Sequence, residues 1–351
     1  MNDFDWWFYL LNVNSRIKLK MLEQYKSTRN IWDELPGNNS YKKQYDKEKI
    51  DSIKKTVEEK SIKVVNFYDE KYPKNLKILE DAPFLLFYKG EIEKLNQSYN
   101  ISIIGSRNCT NYGLNITRII SKALAENSIT VISGMAKGID AQSHKSAIEN
   151  GGFTCAVLGS GVDVIYPKEN TNLYKGILEN GCIISEFRPG TAPFYYNFPI
   201  RNRIISALSE IIIVVEAGTK SGSLITVRLA LDQGKNVMAV PGSVFSEQSK
   251  GTNLLIKEGA EPILSIQDIF NSADQNFTET NIRIKSKDSQ VSALEGKLNN
   301  IISNNPIHID DIIKISKIDI KRVYELLFEM QLKNEILCLS GNYYVRINNK
   351  I

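Results

Sequence analysis

Short β-branched runs without inside–outside alternation recur through the middle of the chain, each halted by small and polar residues. Ile101–Ile104 stops at Gly105, and Thr130–Ile132 stops at Ser133 and Gly134. Thr154–Leu158, Cys182–Ser185, Ile211–Val215 and Val237–Val240 follow in the same style. Strands buried on both faces of a parallel sheet read this way. Between them lie stretches with helical periodicity, such as Tyr112–Glu126. The alternation predicts an α/β domain over 101–271, with a parallel sheet of at least six strands covered by helices.

The flanks have other periods. Trp6, Leu10, Leu11, Ile17, Met21, Leu22 and Tyr25 fall at helical spacing, so residues 1–40 predict a small helical module whose aromatics serve as its core. Residues 41–100 begin with lysines interleaved with acids, the mark of a solvated helix. Ile62–Phe67 then reads as a strand, and PFLLFYKG (83–90) as an extended apolar lead-in. Residues 272–290 are polar and aperiodic, which predicts a linker. Over 291–351, helices at Val291–Ser303, Pro306–Ile315 and Ile318–Leu332 precede a hairpin of Glu335–Leu339 and Asn342–Val345. Three helices and a terminal hairpin make the winged-helix pattern. Lys317, Lys321 and Arg322 on the third helix are opposed by Glu325 and Glu329, so duplex DNA and protein both stay open as its partner.

Composition narrows the function classes. A chain of 351 residues holds two or three domains, and a net charge of +4 permits a nucleic-acid partner without requiring one. No apolar run is long enough for a membrane span, and MNDFDWWFYLL carries acids where a secretory signal needs basic residues. Four scattered cysteines fit a reducing cytoplasm. With only His144 and His308, neither a metal site nor a histidine-based triad is expected, and no motif calls for a cofactor.

Candidate chemistry clusters at the strand ends. Gly105-Ser106-Arg107 and Ser133–Ile139 are two glycine loops, each with a cation (Arg107, Lys137). Loops that open helices attract anions, and two side by side suit a ligand with several phosphates. No G-x-G-x-x-G or Walker sequence selects a nucleotide. Asp140 reads as a helix cap and His144 as a locally bonded core residue. Ser185–Arg203 combines Arg188, Arg201 and Arg203 with Phe194, Tyr195 and Tyr196. Arginine forks suit phosphates, and aromatic faces suit unpaired bases. The competing reading covers the sheet edge with the aromatics and pairs Arg203 with Glu210. Lys220, Ser221, Gly222 and Ser223 repeat the cation–glycine–hydroxyl design after a fifth strand. Glu186 and Glu216 follow strand ends too, either as an acid–base pair or, the preferred reading, as anchors for nearby cations.

Taken in order, GSR (105–107), SGMAKGIDAQSH (133–144), AVLGSGVDVIYPKEN (156–170), SEFRPGT (185–191), FPIRNRIISALS (198–209), VVEAGTKSGSLIT (214–226), AVPGS (239–243) and GTNLLIKEGA (251–260) resemble the DNA-processing protein A family, DprA/Smf. The resemblance implies an extended Rossmann fold that binds single-stranded DNA in a basic groove, as a homodimer and without catalysis. It implies protection of incoming strands and loading of RecA during natural transformation. It places strand contacts on Arg107 and Lys137, joined by Arg201, Arg203 and Lys220. Phosphate-cradling loops would supply Gly105, Ser106, Ser133, Gly134, Gly138, Ser221, Gly222 and Ser223. One departure is Asn12–Ser15, where the family's Gly-x-Gly turn is missing. Two other readings stand beside this one. The first is a nucleotide-processing hydrolase, although Gly218–Thr226 lacks the glutamate that chemistry needs. The second is a duplex-DNA regulator acting through the winged helix. Leu254, Leu255, Ile256, Ile266, Ile269 and Phe270 carry more apolar surface than one sheet face buries, which makes them the expected dimer face.

Overall fold

The structure is a computed structural model that describes residues 1–37, 39–273, 289–303, 305–332 and 335–346. It contains two compact units, Met1–Pro262 and Ile263–Ile351, each described by itself below. Residues 274–288, most of the expected linker, lie outside the described residues.

The first unit is built on a nine-stranded sheet in the order β1-β2-β6-β5-β4-β3-β7-β8-β9. The strands are β1 (Lys63–Asn66), β2 (Leu85–Gly90), β3 (Asn100–Ile104), β4 (Thr130–Ser133), β5 (Thr154–Val157), β6 (Gly181–Ser185), β7 (Ile211–Val214), β8 (Asn236–Ala239) and β9 (Glu261–Pro262). All six expected strands are present, and from β6 across to β9 the sheet is parallel. The lead-in is more than a connection. Its Leu85–Gly90 is β2, which pairs antiparallel with β6 (Phe87↔Ser185) and with β1. Leu85, Leu86, Phe87 and Tyr88 are all buried, so this segment covers the edge that β6 would otherwise expose.

Alternate residues feed the two faces of the sheet. One face gathers Leu86, Tyr88, Cys155, Val157, Cys182 and Ile184 against Ile204, Ile205 and Leu208 of α8 (Asn197–Leu208). The other gathers Leu85, Phe87, Ala156 and Ile183 with Trp6, Trp7, Phe8, Ile31 and Ile50. Those last residues come from α1 (Asp3–Leu10), α3 (Thr28–Glu34) and α4 (Lys47–Glu59); α2 (Ser15–Tyr25) adds Leu22. The N-terminal aromatics are core, as expected, but the core is shared with the sheet. Phe8 meets Phe84 edge-on at 4.9 Å and Tyr9 meets Phe87 at 5.5 Å. Helices α5 (Asn111–Glu126), α6 (Ile139–Glu149), α7 (Thr171–Asn180), α9 (Ser223–Asp232) and α10 (Lys250–Lys257) complete the unit.

The second unit opens with α11 (Ile266–Asn271), which starts in a Ser265/Asp268 capping box. Helices α12 (Ser289–Ile301), α13 (Ile309–Ser316) and α14 (Ile320–Leu332) and strands β11 (Ile336–Leu339) and β12 (Tyr343–Arg346) form the winged helix. Leu298, Ile302, Ile312, Val323, Leu326 and Met330 are its core. The helix expected from Pro306 starts at Ile309, because Ile307 and His308 pair with Tyr344 and Tyr343 as β10.

Candidate nucleic-acid interface

From β3 the chain steps to β4, β5 and β6 on one side, then returns to β7 on the other. This reversal opens a crevice beyond the strand ends, where open α/β sheets hold ligands. A cleft of about 790 Å³ lies there, lined by Gly105–Asn108, Tyr166, Tyr195, Phe198, Arg201, Gly218–Ser223 and Gln248. A smaller cavity of about 110 Å³ shares Arg107, Tyr166, Phe198 and Arg201 with it and adds Lys137 and Gly159.

The glycines of the first two loops serve close packing. Ser106 N–H donates to the Glu216 carbonyl at 2.7 Å, and Ile139 N–H donates to the Ser106 carbonyl at 3.3 Å. Gly138 has φ +77°, and a Cβ there would sit 2.3 Å from the Ser106 carbonyl oxygen. A Cβ on Gly105 would meet Ile139 at 2.7 Å. Ser133 and Gly134 are buried beneath the cleft: the Ser133 hydroxyl donates to the Ile103 carbonyl at 2.6 Å and Gly134 N–H to Asp140 Oδ2 at 3.2 Å. Asp140 is not the cap. Gly138 holds that position, and Asp140, inside the first turn of α6, reaches back to brace the loop. Burial raises its pKa, with Arg201 opposing.

Both glutamates hold neighbouring groups. The Glu216 carboxylate accepts from the Thr110 hydroxyl (2.5 Å) and backbone N–H (2.8 Å), fixing the cap of α5. Glu186 receives both terminal nitrogens of Arg203 at 2.8 Å. His144 is buried in α6, with Nδ1 2.6 Å from the Thr154 hydroxyl; burial pushes its pKa down to about 3, so the ring is neutral. Among the described residues no group of His, Cys, Asp and Glu is placed to hold a metal.

The five cations expected to contact the strand divide into two sets. Arg107 and Lys220 are exposed and both line the cleft. The Arg107 guanidinium lies 5.8 Å from the Phe198 ring. Lys137 is also exposed, paired with Glu169 at 2.6 Å. Arg201 is buried under the cleft and donates to the carbonyls of Gly134 (3.0 Å) and Val157. Burial lowers its pKa to about 10; Asp140 opposes this and the neighbouring charge of Arg107 adds to it. Arg203 is buried too. It is bound by Asp81 (2.9 Å) and Glu186, not by Glu210, which holds Asn75 and Asn100 instead.

The aromatics do not cover the sheet edge. Phe194 and Tyr196 stack at 5.3 Å with planes 6° apart, and Tyr195 is 84% exposed. Ser221 and Ser223 share a hydrogen bond of 2.7 Å at the open end of α9, and Gly222 is exposed between them. Two lining residues escaped the sequence reading. Tyr166 packs on Phe198 at 5.6 Å, and Gln248 accepts from the Ser106 hydroxyl at 2.8 Å. The Tyr-Pro pair at 166–167, in a loop after a strand, was the available signal for the first. Of the expected dimer residues, Leu255, Ile269 and Phe270 are buried within the chain, while Leu254 is exposed.

No helix of the described residues is long and apolar enough to cross a membrane. The family model "DNA recombination-mediator protein A" matches residues 63–274, and the "DprA winged helix domain" model matches 285–342. DNA processing protein DprA of Streptococcus pneumoniae is 43% identical over 202 residues, 58% of this chain and 71% of that protein. DNA processing protein DprA of Bacillus subtilis is 40% identical over 222 residues, 63% of this chain and 75% of that one. The X-ray structure of the S. pneumoniae protein matches with TM-score 0.69 at 34% identity, over 78% of this chain and 99% of that chain. A structure of DNA processing protein A from Helicobacter pylori, titled for its single-stranded DNA binding mode, matches with TM-score 0.55 at 32% identity, over 60% of this chain and 94% of that one. With the matching model spanning more than half its length, the chain belongs to the DNA recombination-mediator protein A (DprA/Smf) family.

Proposed function

We propose that the cleft binds single-stranded DNA and that the chain acts as a recombination mediator in the cytoplasm, sheltering incoming strands and helping to load RecA as a homodimer. One juxtaposition carries the reading: exposed Arg107 and Lys220 line a cleft that Tyr195 also lines, with Phe194 and Tyr196 stacked beside it. Cations suit phosphates, and open aromatic faces suit bases that are not already stacked in a duplex. Lys137, at the smaller cavity, extends the cation set along the strand path. Arg201 works from behind, holding the Gly134 end of the loop that carries Lys137, and Arg203 holds Glu186 at the start of the aromatic segment. The relative from H. pylori, described for single-stranded DNA binding, supports the same ligand class here.

The hydrolase reading is the less favoured one, since Glu186 holds Arg203 and Glu216 holds Thr110. The duplex reading is disfavoured by the winged helix, which has seven basic and seven acidic residues between 289 and 346 and so no basic footprint.

Binding of a labelled oligothymidylate across a salt series tests the assignment. Arg107→Ala and Lys137→Ala together weaken binding about tenfold or more and lower the salt slope by about 0.7 for each phosphate left without its cation. Wild-type affinity and slope in the double variant would remove these residues from the interface.

A further inference from the structure

The segment that carries the exposed aromatics, residues 186–196, is tied at its start by Arg203 on the Glu186 carboxylate and by Phe187 N–H on the Ser185 hydroxyl, and further along by Gly161 N–H, which donates to the Thr191 carbonyl at 2.9 Å. Two of its anchors come from the N-terminal sixty residues. The Tyr9 hydroxyl, at the end of α1, donates to the Glu186 carbonyl at 3.1 Å and lies against the backbone N–H of Arg188. The Tyr9 ring is held edge-on to Phe87 of β2, and the Tyr9 carbonyl is gripped by the ammonium of Lys18 at 2.6 Å. The second anchor runs through Lys60, just past α4, whose ammonium binds Asp163 Oδ2 at 2.5 Å. The other oxygen of Asp163 accepts from Gly190 N–H at 2.8 Å. The Asp163 side chain is itself buried, so Lys60 supplies the charge that lets a buried carboxylate hold that amide.

We infer that the N-terminal helices are a positioning element for the strand-facing segment: Tyr9 fixes its start and Lys60, through Asp163, its middle. The inference rests on the single-strand reading of the cleft. It gives residues 1–60 a role in strand binding that needs no DNA contact of their own and no Gly-x-Gly turn. Tyr9 and Lys60 are positioning residues, since both act through the backbone of 186–191 on aromatics that follow a few residues later.

The test uses the full chain carrying Tyr9→Phe and Lys60→Met, singly and together. Amide exchange at Gly190 and Thr191 is read by mass spectrometry, and affinity is read with a labelled oligothymidylate. In the double variant, exchange in 187–191 accelerates and affinity falls about five- to tenfold, the scale of one or two hydrogen bonds. The fall is non-additive with Tyr195→Ala, because both act on one segment, and additive with Arg107→Ala, which sits on another loop. Unchanged protection, unchanged affinity, or additivity with Tyr195→Ala would each overturn the inference. Lys60 is half-exposed, so Lys60→Met alone carries the test should the Tyr9 variant fail to fold. If the wild-type chain bound no oligonucleotide, the strand-binding reading would fall with it. Exchange in 187–191 would then show separately whether the anchors hold the segment.

Discussion

Arg107 and Arg203 carry the same charge to very different ends. Arg107 stands exposed at the cleft, while Arg203 spends its donors on Asp81 and Glu186 behind it. Burial disfavours the Arg203 charge, yet the two carboxylates outweigh burial and raise its pKa. Removing one partner of such a group leaves the others uncompensated. Arg203→Leu is therefore expected to lower stability by about 3 kcal/mol or more, seen as an earlier thermal unfolding transition. Strand affinity per folded molecule should fall less than in Arg107→Ala, and only through loosening of the segment that Glu186 begins. A uniform loss of binding with an unchanged melting temperature would contradict this placement. Sequence showed which residues carry charge but not what they face. Asp81 lies 122 positions from Arg203, and no local pattern pairs them. For the same reason, Ser133 and Gly134 looked like part of a phosphate loop until their bonds to Ile103 and Asp140 placed them underneath it.

At the scale of elements, what was legible followed from local composition. Six strands announced themselves because a strand buried on both faces must be apolar without alternation. The winged helix was legible from three helical periods and a Ser340-Gly341 turn. The lead-in was harder, because four consecutive buried residues at 85–88 fit a strand or a connection equally well, and only pairing with β6 decides. Which face of α1 meets the sheet is likewise a tertiary fact. The glycine loops were located correctly, but what their glycines do was not visible, since close approach involves the neighbouring loop. Gly138 shows the consequence most directly. With φ +77° and the Ser106 carbonyl 2.3 Å from where a Cβ would lie, Gly138→Ala must displace the β3–α5 loop or the start of α6. The expected cost is about 1–3 kcal/mol of stability together with weaker strand binding, because Arg107 rides on the displaced loop. Thermal unfolding and oligonucleotide titration of the variant check both effects. Wild-type values in both would mean that the contact is slack.

For the molecule as a whole, the order of the strands makes the site. The chain reverses about β3, so the loops after β3 and β7 line one cleft together with Phe198 and Arg201 of α8. The two antiparallel strands and the N-terminal helices extend that frame and hold its aromatic rim. Net charge contributes little to this picture, since the excess of +4 is spread over 351 residues and the winged helix is neutral. Affinity must therefore come from a few placed cations and from stacking, which favours an unpaired strand over a duplex. The most direct measurement is competition between a labelled single strand and a duplex of the same length for the full chain, repeated across a salt series. The account predicts clear preference for the single strand at every salt concentration, with little dependence on sequence and a modest salt slope. Equal or stronger binding to the duplex would contradict it.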